Sequence, residues 1–136
     1  MKTEIKNIAA LVATSIWADG EYDAAEKIVV EEIADAFELD RTEFAAAVET
    51  ELAVIEPMTE EEVNAYILNH SAEVEEEEAE MLLQAVMQMV IVDGILGENE
   101  ADNVMAIASA LGINEGRAVL MLADLAKEES ELQVEL

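Results

Sequence analysis

The sequence predicts an all-α fold: one domain of about seven helices, arranged as two pseudo-symmetric three-helix repeats joined by a short helix. Three observations predict it. The 136 residues contain only one proline and five glycines, too few for a turn-rich β architecture. Apolar residues recur at three- and four-residue steps between capping residues. An Asp-Gly pair trailed six residues after its glycine by a glutamate occurs twice, at matching helix junctions.

Taken in order, Thr3 is placed to cap a first helix reaching Ala18, whose Ile5, Ile8, Val12 and Ile16 fall on one face. After Asp19-Gly20, Asp23 and Glu26 suit the ends of a capping box opening a second helix at Ala24, with Val30, Ile33, Ala34 and Phe37 as its apolar stripe. Asp40 and Glu43 repeat that spacing for a third helix carrying Phe44, Val48, Leu52 and Ile55, and Pro57 stops it. Thr59 and Glu62 open a short helix with Val63, Tyr66 and Ile67, which Asn69-His70-Ser71 is expected to interrupt. A long helix from Val74 to Val92 follows, with Glu75 to Glu78 complementing the dipole of its first turns. Beyond Asp93-Gly94, a sixth helix begins at Glu98 and stops at Gly112, and Asn114 caps a seventh. Residues 1–127 form the expected domain, with repeats over 4–56 and 74–127, and 128–136 an acidic tail.

An offset of 74 residues superposes the halves without a gap: Asp19-Gly20 on Asp93-Gly94, Glu26 on Glu100, Val30 on Val104 and Ile33-Ala34 on Ile107-Ala108. Apolar matches between amphipathic helices come easily. The Asp-Gly pair and its glutamate are not stripe positions, so their coincidence weighs more.

The formal net charge is −27, from 33 acidic against 6 basic side chains. Nucleic acid and anionic membrane surfaces need a cationic footprint and are excluded as direct ligands. Cations and basic partners are favoured. No window offers the roughly 18 uncharged apolar residues of a spanning helix, and no apolar leader opens the chain, so a cytoplasmic location without membrane insertion is expected. Cysteine is absent, which removes thiolate chemistry.

Asp19, Asp23 and Glu26 cluster at the first junction, and Asp93, Glu98 and Glu100 at the second. Carboxylate oxygens suit hard cations such as calcium, magnesium or manganese, and the repulsion among them is what a bound ion relieves; zinc is a further candidate. The Gly20 to Glu26 spacing matches positions 6 and 12 of an EF-hand loop, but positions 1 and 3 would be Ser15 and Trp17, or Met89 and Ile91, and the EF-hand is rejected. Helix caps and turns alone also account for the pattern. Neither a phosphate-binding glycine loop nor a nucleophile elbow is present, and the lone His70 cannot build a zinc site or a triad. No catalytic residues are assigned. A metal-dependent hydrolase using the same carboxylates is the enzymatic alternative, and a purely structural or interaction domain the other.

The segment Ala18-Asp19-Gly20-Glu21-Tyr22-Asp23-Ala24-Ala25-Glu26-Lys27 with Ile33-Ala34, echoed from Val92-Asp93-Gly94 to Glu100, resembles the TerB-like tellurite-resistance domain. The resemblance covers residues 5–126. It implies an all-helical domain of two related halves that is associated with tellurite resistance and stress responses, binds metal ions through acidic residues, and acts with membrane-associated protein partners rather than as an enzyme. Gly97 stands where the first copy has Asp23, so the two acidic sets are not identical.

Overall fold

The computed structural model describes residues 4–19, 22, 24–91, 95–128 and 133–135. Over these the chain forms α1 (Ile5–Asp19), α2 (Ala24–Ala36), α3 (Arg41–Ile55), α4 (Glu60–Ser71), α5 (Glu76–Ile91), β1 (Ile95–Gly97), α6 (Glu98–Ala110), α7 (Glu115–Glu128) and β2 (Gln133–Glu135). The seven expected helices are present.

The core is built around α1. Every residue from Asn7 to Ile16 is buried, so this helix has no solvent face, and it packs against α3, α4, α5 and α6. A helix that is apolar all round belongs in an interior. Ala9, Ala10 and Ala13 are fully buried, and side chains this small let neighbouring helices approach closely. Its two buried hydroxyls are satisfied within the helix: Thr14 Oγ1 and Ser15 Oγ donate to the Leu11 carbonyl at 2.7 and 3.4 Å. α5 contributes the second large apolar surface, burying Leu82, Leu83, Val86, Met87 and Val90.

Caps define the boundaries as the local chemistry requires. Asp40 accepts from the Glu43 amide at 2.8 Å to begin α3, and Thr59 with Glu62 completes a reciprocal capping box at α4. Asp23, Gly20, Asp93 and Gly94 lie outside the described residues.

One expectation is corrected. The segment Asn69-His70-Ser71 does not interrupt α4, which runs to Ser71. Ser71 is buried, and His70 reaches a residue of α1, so tertiary contacts override the weak helix propensity of Asn and Ser. Within the segment 128–136, Gln133–Glu135 pair in parallel with Ile95–Gly97, Leu96 opposite Val134. The alternation of Leu132, Val134 and Leu136 is a strand signal that the acidic composition masks.

The 74-residue offset carries the bounds of α2 onto those of α6. Both helices end in the same motif: Leu39 donates to the Ala34 carbonyl at 2.7 Å and Ile113 to that of Ala108 at 2.9 Å, across Glu38 at φ 58° and Gly112 at φ 77°. The left-handed conformation is easy for glycine and strained for glutamate. An added Cβ at Gly112 meets nothing within 4 Å, so only backbone conformation opposes a side chain there. Chemical denaturation will show Gly112→Ala less stable by about 1 kcal/mol and Glu38→Gly more stable by a similar amount. Equal effects of both substitutions would contradict the shared motif.

Candidate functional site

The six candidate ligands do not share one environment. Asp19 is the last residue of α1, and its side chain, like Asp23 and Asp93, is outside what the structure describes. Glu26 and Glu100 hold the same place in the first turns of α2 and α6, and both are buried, with 3% and 9% of their surface exposed. Both take part in interactions within the fold. Glu98, two residues before Glu100, is exposed.

Carboxylates are almost never fully buried unless something compensates them. The N-terminal turn of a helix is favourable ground, because its amides and dipole complement negative charge. The electrostatic consequence is visible at Tyr22, which lies in the link between α1 and α2, half-buried against the core. Its phenol is pushed up to about 12, first by burial and then by the charges of Glu49, Glu26 and Glu31. Lys27 Nζ sits 5.4 Å from the centre of the same ring, within cation–π range. Carboxylates of α2 and α3 thus act together on Tyr22.

As a donor set these residues offer oxygen only, the chemistry of hard cations. Among the described residues no three His, Cys, Asp or Glu side chains are grouped to hold a metal ion.

A family model described as "Tellurite resistance protein TerB" matches residues 7–123. The chain belongs to the TerB family. Comparison with curated proteins and with solved structures returns no match. The match spans α1 to most of α7, so both Asp-Gly junctions and both buried glutamates of this TerB domain fall inside it.

Two polar features escape the sequence patterns. The first links α1, α3 and α4. Tyr66 Oη donates to buried Glu51 Oε1 at 2.6 Å, His70 stacks on Tyr66 with ring centroids 4.4 Å apart, and His70 Nδ1 lies 2.7 Å from Oδ1 of buried Asn7. Burial and the bond to Glu51 hold the Tyr66 phenol well above its ordinary range. Burial, aided by Lys6, lowers His70, against an opposite pull from Glu51 and Glu73. Tyr66 and His70 sit four apart on one helix face, a clue available in the sequence. The second is a cleft of about 470 Å³ between α1, α4 and α6, lined by Trp17, Glu60, Asn64, Asp102 and Asn103 among others. Asn103 is only 7% exposed, and its Nδ2 has no hydrogen-bond partner among the described residues. A buried donor left unmet costs about 1–3 kcal/mol.

Tyr66→Phe will destabilise the domain by about 1–3 kcal/mol, because it leaves the Glu51 carboxylate buried without its donor. Urea unfolding checks this, and an unchanged midpoint would contradict it. The folded state depresses His70, so between its folded pKa and about 6.5 the unfolded chain binds more protons and stability rises with pH. The His70 contribution is fully present above about pH 6.5 and is lost progressively as pH falls from there through the lower folded pKa. His70→Gln will therefore flatten the fall in urea midpoint between about pH 7 and 5 relative to the parent chain.

Proposed function

We propose that this TerB domain is a non-enzymatic cytoplasmic binding module of a stress response, holding a hard divalent cation through the acidic residues at its two Asp-Gly turns and thereby presenting its acidic face to a protein partner. One observation carries the reading: the fold buries a carboxylate at the same first-turn position behind each turn, Glu26 in α2 and Glu100 in α6. Two buried acids at equivalent places are costly to keep for solubility alone, since exposed acids serve that purpose.

The assigned roles follow from position. Glu26 and Glu100 are the fixed oxygen donors, because their helices and burial restrict their rotamers. Asp19, the last residue of α1, and Asp93, two positions beyond α5 in the sequence, are assigned as the further donors of the two sets. Asp23 adds a carboxylate to the first set, and its counterpart Gly97 cannot; Glu98 is the remaining acid of the second set. Binding is accordingly tighter at the first turn. Calcium, magnesium and manganese fit the oxygen-only set better than zinc, which is bound chiefly through nitrogen and sulfur. The bound ion draws the turn residues together, and the network of acids around Tyr22 is relieved of repulsion.

The test follows thermal unfolding during titration with each chloride salt, with sodium chloride at matched ionic strength as the control. A cation that binds only the folded state raises the midpoint, by about 5 °C or more at a hundredfold excess over its Kd. Asp19→Asn combined with Asp93→Asn will abolish the increment above the sodium control. A midpoint that follows ionic strength alone, whatever the cation, would contradict the metal reading and leave the partner-binding face without it.

A further inference from the structure

We infer that the cleft between α1, α4 and α6 is a recognition pocket for a basic side chain of a partner polypeptide, with the cation held on Trp17 between Glu60 and Asp102 and the adjoining peptide carbonyl accepting from Asn103. Its occupancy does not require a metal ion at the Asp-Gly turns.

The argument begins with Asn103. At the 74-residue offset its place in α2 is taken by Val29, which is buried to the same degree, 8% exposed against 7%. An apolar side chain therefore fills this helix position, and packing does not call for an amide. Asn103 instead borders the cleft, and its buried Nδ2 has no hydrogen-bond partner among the described residues. The desolvation of that donor is already complete in the free protein. The broad terminal torsion of asparagine lets the amide turn towards the cleft, where an acceptor relieves a donor that is unmet in the free protein.

The walls define the rest of the ligand. Trp17 is half-buried at the end of α1 and supplies an aromatic surface, the best of the three for holding a cation. Glu60 at the start of α4 and Asp102 on α6 are exposed carboxylates, Asn64 adds an exposed amide, and among the described residues no basic one lines the cleft. The site thus asks for positive charge at its rim and for an acceptor at its floor. A bare metal ion uses neither Trp17 nor an amide donor. A polyamine provides the charge and no acceptor. A nucleotide provides acceptors and an aromatic base, but its phosphates meet two carboxylates. An arginine or lysine within a peptide carries both features within reach of each other, and the net charge of −27 draws such a segment in. Arginine is favoured over lysine, because its planar guanidinium stacks on an aromatic face and is less strongly hydrated.

Trp17 is the sole tryptophan, so its emission reports on the cleft directly. The probes are acetyl-Gly-Arg-Gly-amide, the same peptide with citrulline in place of arginine, and spermidine, all at one ionic strength. The arginine peptide will change Trp17 emission saturably, and the citrulline peptide will bind about tenfold or more weaker, as expected for loss of a cation–π and ionic contact. Asn103→Val will weaken the arginine peptide by about fivefold or more without lowering the thermal midpoint, since it removes one donor and an unmet polar group together. The surface pair Glu60→Gln with Asp102→Asn, which leaves the core untouched, will weaken it similarly while sparing the fold. Equal binding of arginine and citrulline peptides would overturn the proposal. So would spermidine matching the arginine peptide, undiminished binding by folded Asn103→Val, or the absence of a saturable response to the arginine peptide.

Discussion

The burial of α1 on every side is the constraint from which the rest of the domain follows. With Asn7 to Ile16 all removed from water, the helix leaves no freedom in how α3, α4, α5 and α6 are set around it. Its C-terminal end fixes where the first Asp-Gly turn begins and places Trp17 at the edge of the cleft against α4 and α6. Its N-terminal part carries Asn7 to His70. A substitution that disturbs this packing therefore reaches each polar site at once. The fully buried alanines matter as much as the large residues, because a small side chain there is what admits a neighbouring helix.

The domain carries its charge by separating it. The apolar interior is continuous, most of the acids project from the outer faces of the helices, and the two arginines are tied to carboxylates on the surface, Arg41 to Asp35 and Arg117 to Glu80. These exposed pairs are worth little each, although the arginines hold Asp35 and Glu80 below the usual carboxylate range. The exceptions to separation are informative. Glu26, Glu51 and Glu100 are buried, and each belongs to a feature beyond packing: Glu51 to the bond from Tyr66, the other two to the first turns behind the Asp-Gly junctions. Repulsion that the surface spreads out is concentrated at Tyr22, where burial and three carboxylates act together.

Much of the helical order could be read from capping chemistry, which is local: Asp40 with Glu43, Thr59 with Glu62 and Gly112 each do in the fold what their spacing suggests. The stripe of Ile5, Ile8, Val12 and Ile16 was legible too, but it describes a helix with one buried face. The alanines between those residues carry almost no periodic signal, so the central position of α1 was hidden. The continuation of α4 through His70 depends on a partner 63 residues away in sequence, beyond any local pattern. The parallel pairing of β1 with β2 joins segments on either side of two helices and was equally out of reach. At the candidate site, the recurrence of Glu26 as Glu100 was visible, whereas the burial of both was not. Asn103 was detectable only by asking which residue departs from its counterpart at the 74-residue offset, where Val29 stands.

The metal reading depends on whether a folded-state site, rather than a diffuse atmosphere of counterions, accounts for cation binding by so acidic a chain. Manganese is a direct probe, since its paramagnetic signal distinguishes free from bound ion and gives the number bound at saturation. In 0.15 M sodium chloride, where the Debye length is about 8 Å and loosely held ions are displaced, the account predicts saturable manganese uptake that falls away in the Glu26→Gln, Glu100→Gln double variant. Uptake that rises without saturation, or that is the same in the folded double variant, would contradict it.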